Sequence, residues 1–139
     1  MIVAVTEDFD ACMAIRQRVF VEEQNVPPEM EHDEYDATAV HLLARDAEGR
    51  AVGTARLLID GAAAKIGRVA VLADRRGTGL GAALIRAALD ELRAVPGVTT
   101  AKLGAQVHAL GFYERLGFTA FGPVYDDAGI PHRDMTRPL

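Results

Sequence analysis

Apolar positions along the chain change period several times, and the changes divide it into elements. Residues 2–6 are apolar and β-branched and predict a short strand. Asp8 can cap a helix. Phe9, Cys12, Met13, Ile15, Val19 and Phe20 then recur at helical spacing, so 8–21 reads as an amphipathic helix. Residues 24–36 hold Pro27-Pro28 and read as a loop with room for one short helical turn. Strand character returns over 38–45, 51–59 and 65–72. Asp46-Ala47-Glu48-Gly49 marks the first turn between them and Asp60-Gly61 the second.

Past Leu72 the pattern switches. Residues 73–81 form a polar, glycine-rich bend, and Leu80, Leu84, Ile85, Ala88, Leu89 and Leu92 give a helix over 80–95 that Pro96-Gly97 stops. A strand over 98–104 and a helix over 107–116 follow, with Gly117 as C-terminal glycine. Strands over 118–125 and 130–135 flank Asp126-Asp127-Ala128-Gly129. No linker, repeat or low-complexity stretch interrupts this, so residues 1–139 predict one α/β domain with a mixed sheet.

Composition narrows the function classes. The only cysteine is Cys12, which excludes an internal disulfide framework or a Cys-rich zinc site and fits a reducing, cytoplasmic setting. Its apolar helix position points to core packing. No run reaches the roughly 20 apolar residues of a membrane span, and no secretory signal is visible at the N-terminus. No His/Asp/Glu spacing suggests a metal site. The net charge of −5 argues against nucleic acid as partner. That charge is local: Glu22, Glu23, Glu29, Glu31, Asp33, Glu34 and Asp36 fall in a stretch without Lys or Arg, and the remaining chain is slightly basic. Such a stretch is either solvated surface or a lure for a cationic ligand.

A strand, a glycine-rich bend and a helix together are a recipe for binding phosphate, the alternative being a tight turn whose glycines only serve packing. The helix start offers unpaired N–H groups and partial positive charge, and glycine lets the backbone approach closely. A Walker loop is absent, because no Gly-Lys-Ser/Thr follows. Gly77-x-Gly79-x-x-Ala82 matches a dinucleotide fingerprint on paper. Three strands precede it, however, and 98–104 lacks the acid that would hold a ribose, so a dinucleotide oxidoreductase is a distant reading.

Arg76-x-x-Gly79-x-Gly81 resembles the pyrophosphate loop of the GNAT N-acetyltransferase superfamily. The predicted order of strands and helices resembles that fold over essentially the whole chain. Phe112-Tyr113-Glu114-Arg115-Leu116-Gly117-Phe118 resembles its closing helix. Five further segments (18–24, 39–44, 67–71, 103–106 and 129–132) look like the branch typified by ElaA and YjcF. The resemblance implies a GNAT acyl-CoA N-acyltransferase fold, a mixed central β-sheet flanked by helices. It implies an acetyl-CoA-dependent enzyme that acetylates a primary amine in a ternary complex. An enzyme for longer acyl-CoA and a non-catalytic CoA-binding or partner-binding domain are the alternatives. GNAT domains often dimerise, so a homodimer is compatible with it.

The same resemblance supplies the site residues. Arg76, Gly77, Thr78, Gly79, Leu80, Gly81 and Ala82 would hold the pyrophosphate. Val69, Ala70 and Val71 would line the pantetheine arm and polarise the thioester. Tyr113 would protonate the leaving thiolate and border the cofactor. A base is less determined, because the strand before the bend carries Arg68 and no glutamate. His41, His108 and His132 are candidates, His41 and His132 foremost, and a water chain is the other route. Gln106 would either contact ligand or cap the last helix. Arg68 would either orient an acidic acceptor or pair with an acid. The region after the first helix borders the acceptor side in the superfamily, so the acidic stretch there predicts a small cationic amine as acceptor.

Overall fold

The computed structural model describes residues 1–139. β1 (Ile2–Thr6), β2 (Val40–Arg45), β3 (Ala51–Asp60) and β4 (Ala63–Val71) make an antiparallel run. β5 (Thr100–Gln106) joins β4 in parallel. β6 (Thr119–Asp127) and β7 (Ile130–Pro138) form a hairpin, and β7 inserts beside β5. The sheet order is therefore β1-β2-β3-β4-β5-β7-β6, mixed as expected, with β1 and β6 at its edges.

Helices cover both faces. α1 (Phe9–Arg16) begins at Asp8, whose Oδ1 accepts the Ala11 N–H at 3.1 Å. It packs Cys12 and Ile15 on Leu43 and Ala70. α3 (Leu80–Arg93) covers the opposite face with Leu84, Ile85, Leu89 and Leu92. Each such buried side chain stabilises the fold by roughly 1.5–3 kcal/mol. Cys12 is fully buried, and burial raises its thiol pKa, so it is an inert core group.

Three segments differ from the sequence expectation. The first helix does not run evenly to 21: after Arg16 it widens into a π-helical stretch, Gln17–Glu23, closed by the Gln24 N–H on the Val19 carbonyl. The loop over 24–36 contains α2 (Pro28–Glu31) and a 3₁₀ turn, Glu34–Ala37. The last helix is short: a 3₁₀ turn, Val107–Ala109, precedes α4 (Leu110–Glu114). Gly117 ends it at φ +91°, as its placement predicted.

Two features open the sheet at its centre. β4 pairs with β5 only over Ala63–Lys65 against Thr100–Lys102, and the strands then part. Beside that split β4 carries a bulge. Thr54 faces Ala70 and Arg56 faces Gly67, so Arg68 and Val69 both oppose Ala55. Arg68 takes φ +50°, a left-handed conformation that costs an L-residue and needs support from its surroundings.

That support is a buried ion cluster under α2. Arg16, 1% exposed, bonds the Glu31 carboxylate through Nε and Asp36 through Nη1 (2.7 Å) and Nη2 (3.1 Å). Arg56 grips Asp33 through Nη1 (2.6 Å) and Nη2 (2.8 Å), and shares Asp36 at 2.9 Å. Arg68 donates to the Glu31 carbonyl from Nε (3.1 Å) and Nη2 (2.9 Å), and to Asp33 at 3.3 Å. Three arginines thus match three carboxylates, fastening α2 and the turn after it to α1, β3 and β4.

Removing one partner strands buried charge. Arg16→Met is expected to cost about 3–5 kcal/mol, read as a lower urea midpoint. Acid acts on the same cluster. The arginine bonds outweigh the burial that opposes ionisation and hold Asp36 far below the usual carboxylate range, and Arg56 lowers Asp33. A carboxyl group depressed in the folded state adds stability above its unfolded pKa, about 3.9, and loses it as pH falls towards the folded value. Denaturant midpoints should therefore fall steeply below about pH 4, and a flat profile there would contradict the cluster's role.

Candidate active site

Where β4 and β5 part, a cleft of about 280 Å³ opens. β4 contributes Lys65 to Val69 along one wall, and β5 contributes Leu103, Gly104 and Gln106 along the other. Phe20 and Gln24 reach it from the π-helical stretch, Tyr113 from α4, and Tyr125, Asp127 and His132 from the final hairpin. The split between two parallel strands brings these distant segments together.

Tyr113 sits with its ring edge-on to Phe112 and Phe118, at centroid distances of 5.0 and 6.0 Å. Burial pushes its hydroxyl up to about 12. The phenol therefore stays protonated at neutral pH and can donate into the cleft.

His132 also lines the cleft, stacked on Tyr125 with the rings 6.0 Å apart. Its Nδ1 lies 2.7 Å from the Ile130 carbonyl. A carbonyl only accepts, so Nδ1 carries the hydrogen and Nε2 of the neutral ring is left with a lone pair. His41 is elsewhere. It is 8% exposed, tilted against Phe9 at 5.0 Å, with Nε2 bonded to the Asp36 carbonyl at 2.9 Å. It supports the loop beneath the ion cluster and does not reach the cleft, which corrects the expectation of a base there. His108 lies outside the cleft, where its Nε2 meets Gln106 Oε1 at 2.7 Å. Gln106 in turn donates from Nε2 to Gln24 Oε1 at 3.0 Å, so an amide pair ties the end of β5 to the end of the π-helical stretch.

The sequence did not single out Gln24 or Tyr125. Gln24 follows directly on the widened helix and lines the cleft from there. Tyr125 donates to Asp134 Oδ1 at 2.7 Å and lies against Gly104, where any Cβ would overlap its hydroxyl. Partial burial and the Asp134 carboxylate push it up to about 12. A glycine inside a strand with a tyrosine two strands away was the available signal, and it needs the strand order to be read.

Residues 76–82 do not line this cleft. They lie at the end of β4, which runs through Val69, Ala70 and Val71 into the bend and then into α3. Ala70 is buried and packs with α1, whereas Val69 borders the cleft. Gly77 and Gly79 have φ of +77° and +85°, and a Cβ on either would meet nothing within 4 Å. Gly79 is the N-cap of α3, and no side chain caps that end. Thr78 turns its hydroxyl onto the Arg75 carbonyl, and Leu80 anchors the helix start in the core. Gly81 has a packing reason as well: its Cβ would press on Phe112 at 3.3 Å. Arg76 is engaged with Glu23 at 2.6 Å and the Val71 carbonyl at 3.1 Å.

The acidic stretch is largely matched by arginines. Glu31, Asp33 and Asp36 serve the ion cluster, and Glu23 pairs with Arg76. Glu22, Glu29 and Glu34 are exposed and outside the cleft. This removes the basis for expecting the stretch to draw in a cationic acceptor. Arg68 pairs with an acid, one of its two expected roles.

One mixed sheet thus carries a strand split beside a bulge, a tyrosine hydroxyl in the resulting cleft, and a helix start without a side-chain cap beyond the end of β4. The family model for the acetyltransferase (GNAT) domain matches residues 5–139. YjcF of Bacillus subtilis, an uncharacterised N-acetyltransferase, is 36% identical over 124 residues, which cover 88% of this chain and 87% of YjcF. An acyl-CoA N-acyltransferase from Pseudomonas aeruginosa superposes with a TM-score of 0.87 at 32% identity, covering 98% of both chains. Escherichia coli ElaA superposes with a TM-score of 0.83 at 30% identity, covering 98% of this chain and 99% of its own. The chain belongs to the GNAT acetyltransferase family.

Proposed function

We propose that this protein transfers the acetyl group of acetyl-CoA to a primary amine directly, within one ternary complex. The reading rests on one observation above others: a protonated, hydrogen-bond-free Tyr113 hydroxyl and a His132 ring held through Nδ1 by the Ile130 carbonyl belong to one cleft. Acetyl-CoA supplies an activated thioester. The open glycine turn at Gly77 and Gly79 and the uncapped start of α3 suit its pyrophosphate. Residues 76–82 would grip that group through backbone N–H donors, with Arg76 held aside by Glu23 until ligand competes for it.

Val69, Ala70 and Val71 would guide the pantetheine arm towards the split. His132 Nε2 takes the proton that the amine loses as it attacks the thioester carbonyl carbon. Tyr113 gives its proton to the sulfur as the carbon–sulfur bond breaks, and solvent restores both groups. One acetamide and one free thiol result. The Gln24–Gln106 pair would hold the end of β5 against the helix that borders the cleft.

Two measurements test this reading. Tyr113→Phe keeps the ring and removes the donor, so kcat should fall about 10²–10⁴-fold with the affinity for acetyl-CoA nearly unchanged. Wild-type turnover in that variant would remove Tyr113 from the mechanism. Acetyl-CoA should also raise the Tm of the wild-type protein by mass action. Gly79→Val fills the open turn and strains a left-handed residue, so the folded variant should show a lower starting Tm and no further rise with acetyl-CoA. A full ligand-induced shift in that variant would place the pyrophosphate elsewhere.

A further inference from the structure

Lys65 and Lys102 lie directly opposite each other on β4 and β5, at the last paired step before the strands part. Cross-strand partners project from one face, where like charges repel. Both are exposed, and every ion pair in the chain uses arginine or histidine, so neither ammonium has a carboxylate. Lys65 borders the cleft. Arg68, three residues further along the same wall, uses Nε and Nη2 on Glu31, Met30 and Asp33, and its Nη1 has no partner.

The opposite wall has the other sign. Asp127 lines the cleft, makes no ion pair, and shares the final hairpin with His132. Glu31, the remaining cleft carboxylate, is 3% exposed and matched by Arg16. Once the matched groups are set aside, the cleft offers uncompensated positive charge at its β4–β5 floor and uncompensated negative charge at the hairpin.

We infer that the acceptor is a small amine that also carries a carboxylate, of amino-acid size. This rests on the acetyl-transfer reading and names its substrate class. The carboxylate lies against Lys65 and Lys102 with the free Nη1 of Arg68 beside them, which relieves the repulsion between the lysines. The amino group lies towards Asp127 and His132, where it is attracted as an ammonium and deprotonated for attack. A cavity of about 280 Å³ that must also admit the acyl end leaves space for a small molecule.

The experiment measures thiol release from acetyl-CoA with free L-amino acids, each beside its own carboxamide, and with phosphoethanolamine. The wild-type protein should use the free acid about tenfold better than the carboxamide in kcat/KM. That ratio should shrink as salt rises. In a Lys65→Gln, Lys102→Gln double variant, whose acetyl-CoA-induced Tm shift reports an intact fold, the ratio should collapse towards one. Carboxamides used as well as acids, a ratio untouched in the double variant, or a preference for phosphoethanolamine would each overturn the carboxylate assignment. If no amine releases thiol, the transfer reading fails, and the anion site is read separately by titrating N-acetyl amino acids and their amides into CoA-saturated protein. Tighter binding of the acid that the double variant weakens about tenfold supports the site, and equal binding of acid and amide overturns it.

Discussion

Arg16 sits at the end of the first α-helical turns with almost no access to water, and two carboxylates from a segment fifteen to twenty residues later close around it. A guanidinium in that position is tolerated only while it stays paired. Its partners therefore dictate where the loop runs; Arg56 on β3 shares Asp36 with it, and Arg68 on β4 bonds the neighbouring Asp33. Net charge within the cluster is near zero, so it locks a path without offering an electrostatic lure. One wall of the cleft is built on that locked path: Met30 and Glu31 line it, and the left-handed Arg68 is stabilised by their carbonyls.

The bulge at Arg68 has consequences in both directions along β4. An unbroken strand would alternate strictly, putting Ile66, Arg68 and Ala70 on one face. The extra residue reverses the parity, so Ile66 packs under α3 and Ala70 packs under α1. The strand also departs from β5 just before this point, and the gap becomes a cleft that passes between the two halves of the sheet. A ligand entering from the α3 end would meet Val69 and Tyr113. One entering from the open face would meet Lys65, Asp127 and His132.

Electrostatics differs between the two ends of the cleft strand. On the α3 side the helix start has no side-chain cap, and the arginine of the bend is neutralised by Glu23. At the other end Lys65 and Asp127 line the cleft without ion pairs. Most arginines of this protein are held in ion pairs, whereas its two lysines are not, and both lysines lie at the step where β4 and β5 part.

The sequence alone carried the element order, the glycine-rich bend before α3, Tyr113 on the closing helix and Cys12 in the core. Each of these is written in local period, turn chemistry or a short motif, and local physics determines them. It also carried the excess of acid between Glu22 and Asp36, but not its use. Whether a carboxylate faces solvent, substrate or a buried arginine depends on which side chain from a remote element lies opposite it. His41 and His132 illustrate the same limit: both are single histidines on strands, and only strand order separates the one under Phe9 from the one facing the cleft. The bulge, the widened helix that delivers Gln24, and the pairing of Lys65 with Lys102 were invisible for the same reason. They are properties of register between segments, fixed by packing after local structure has formed.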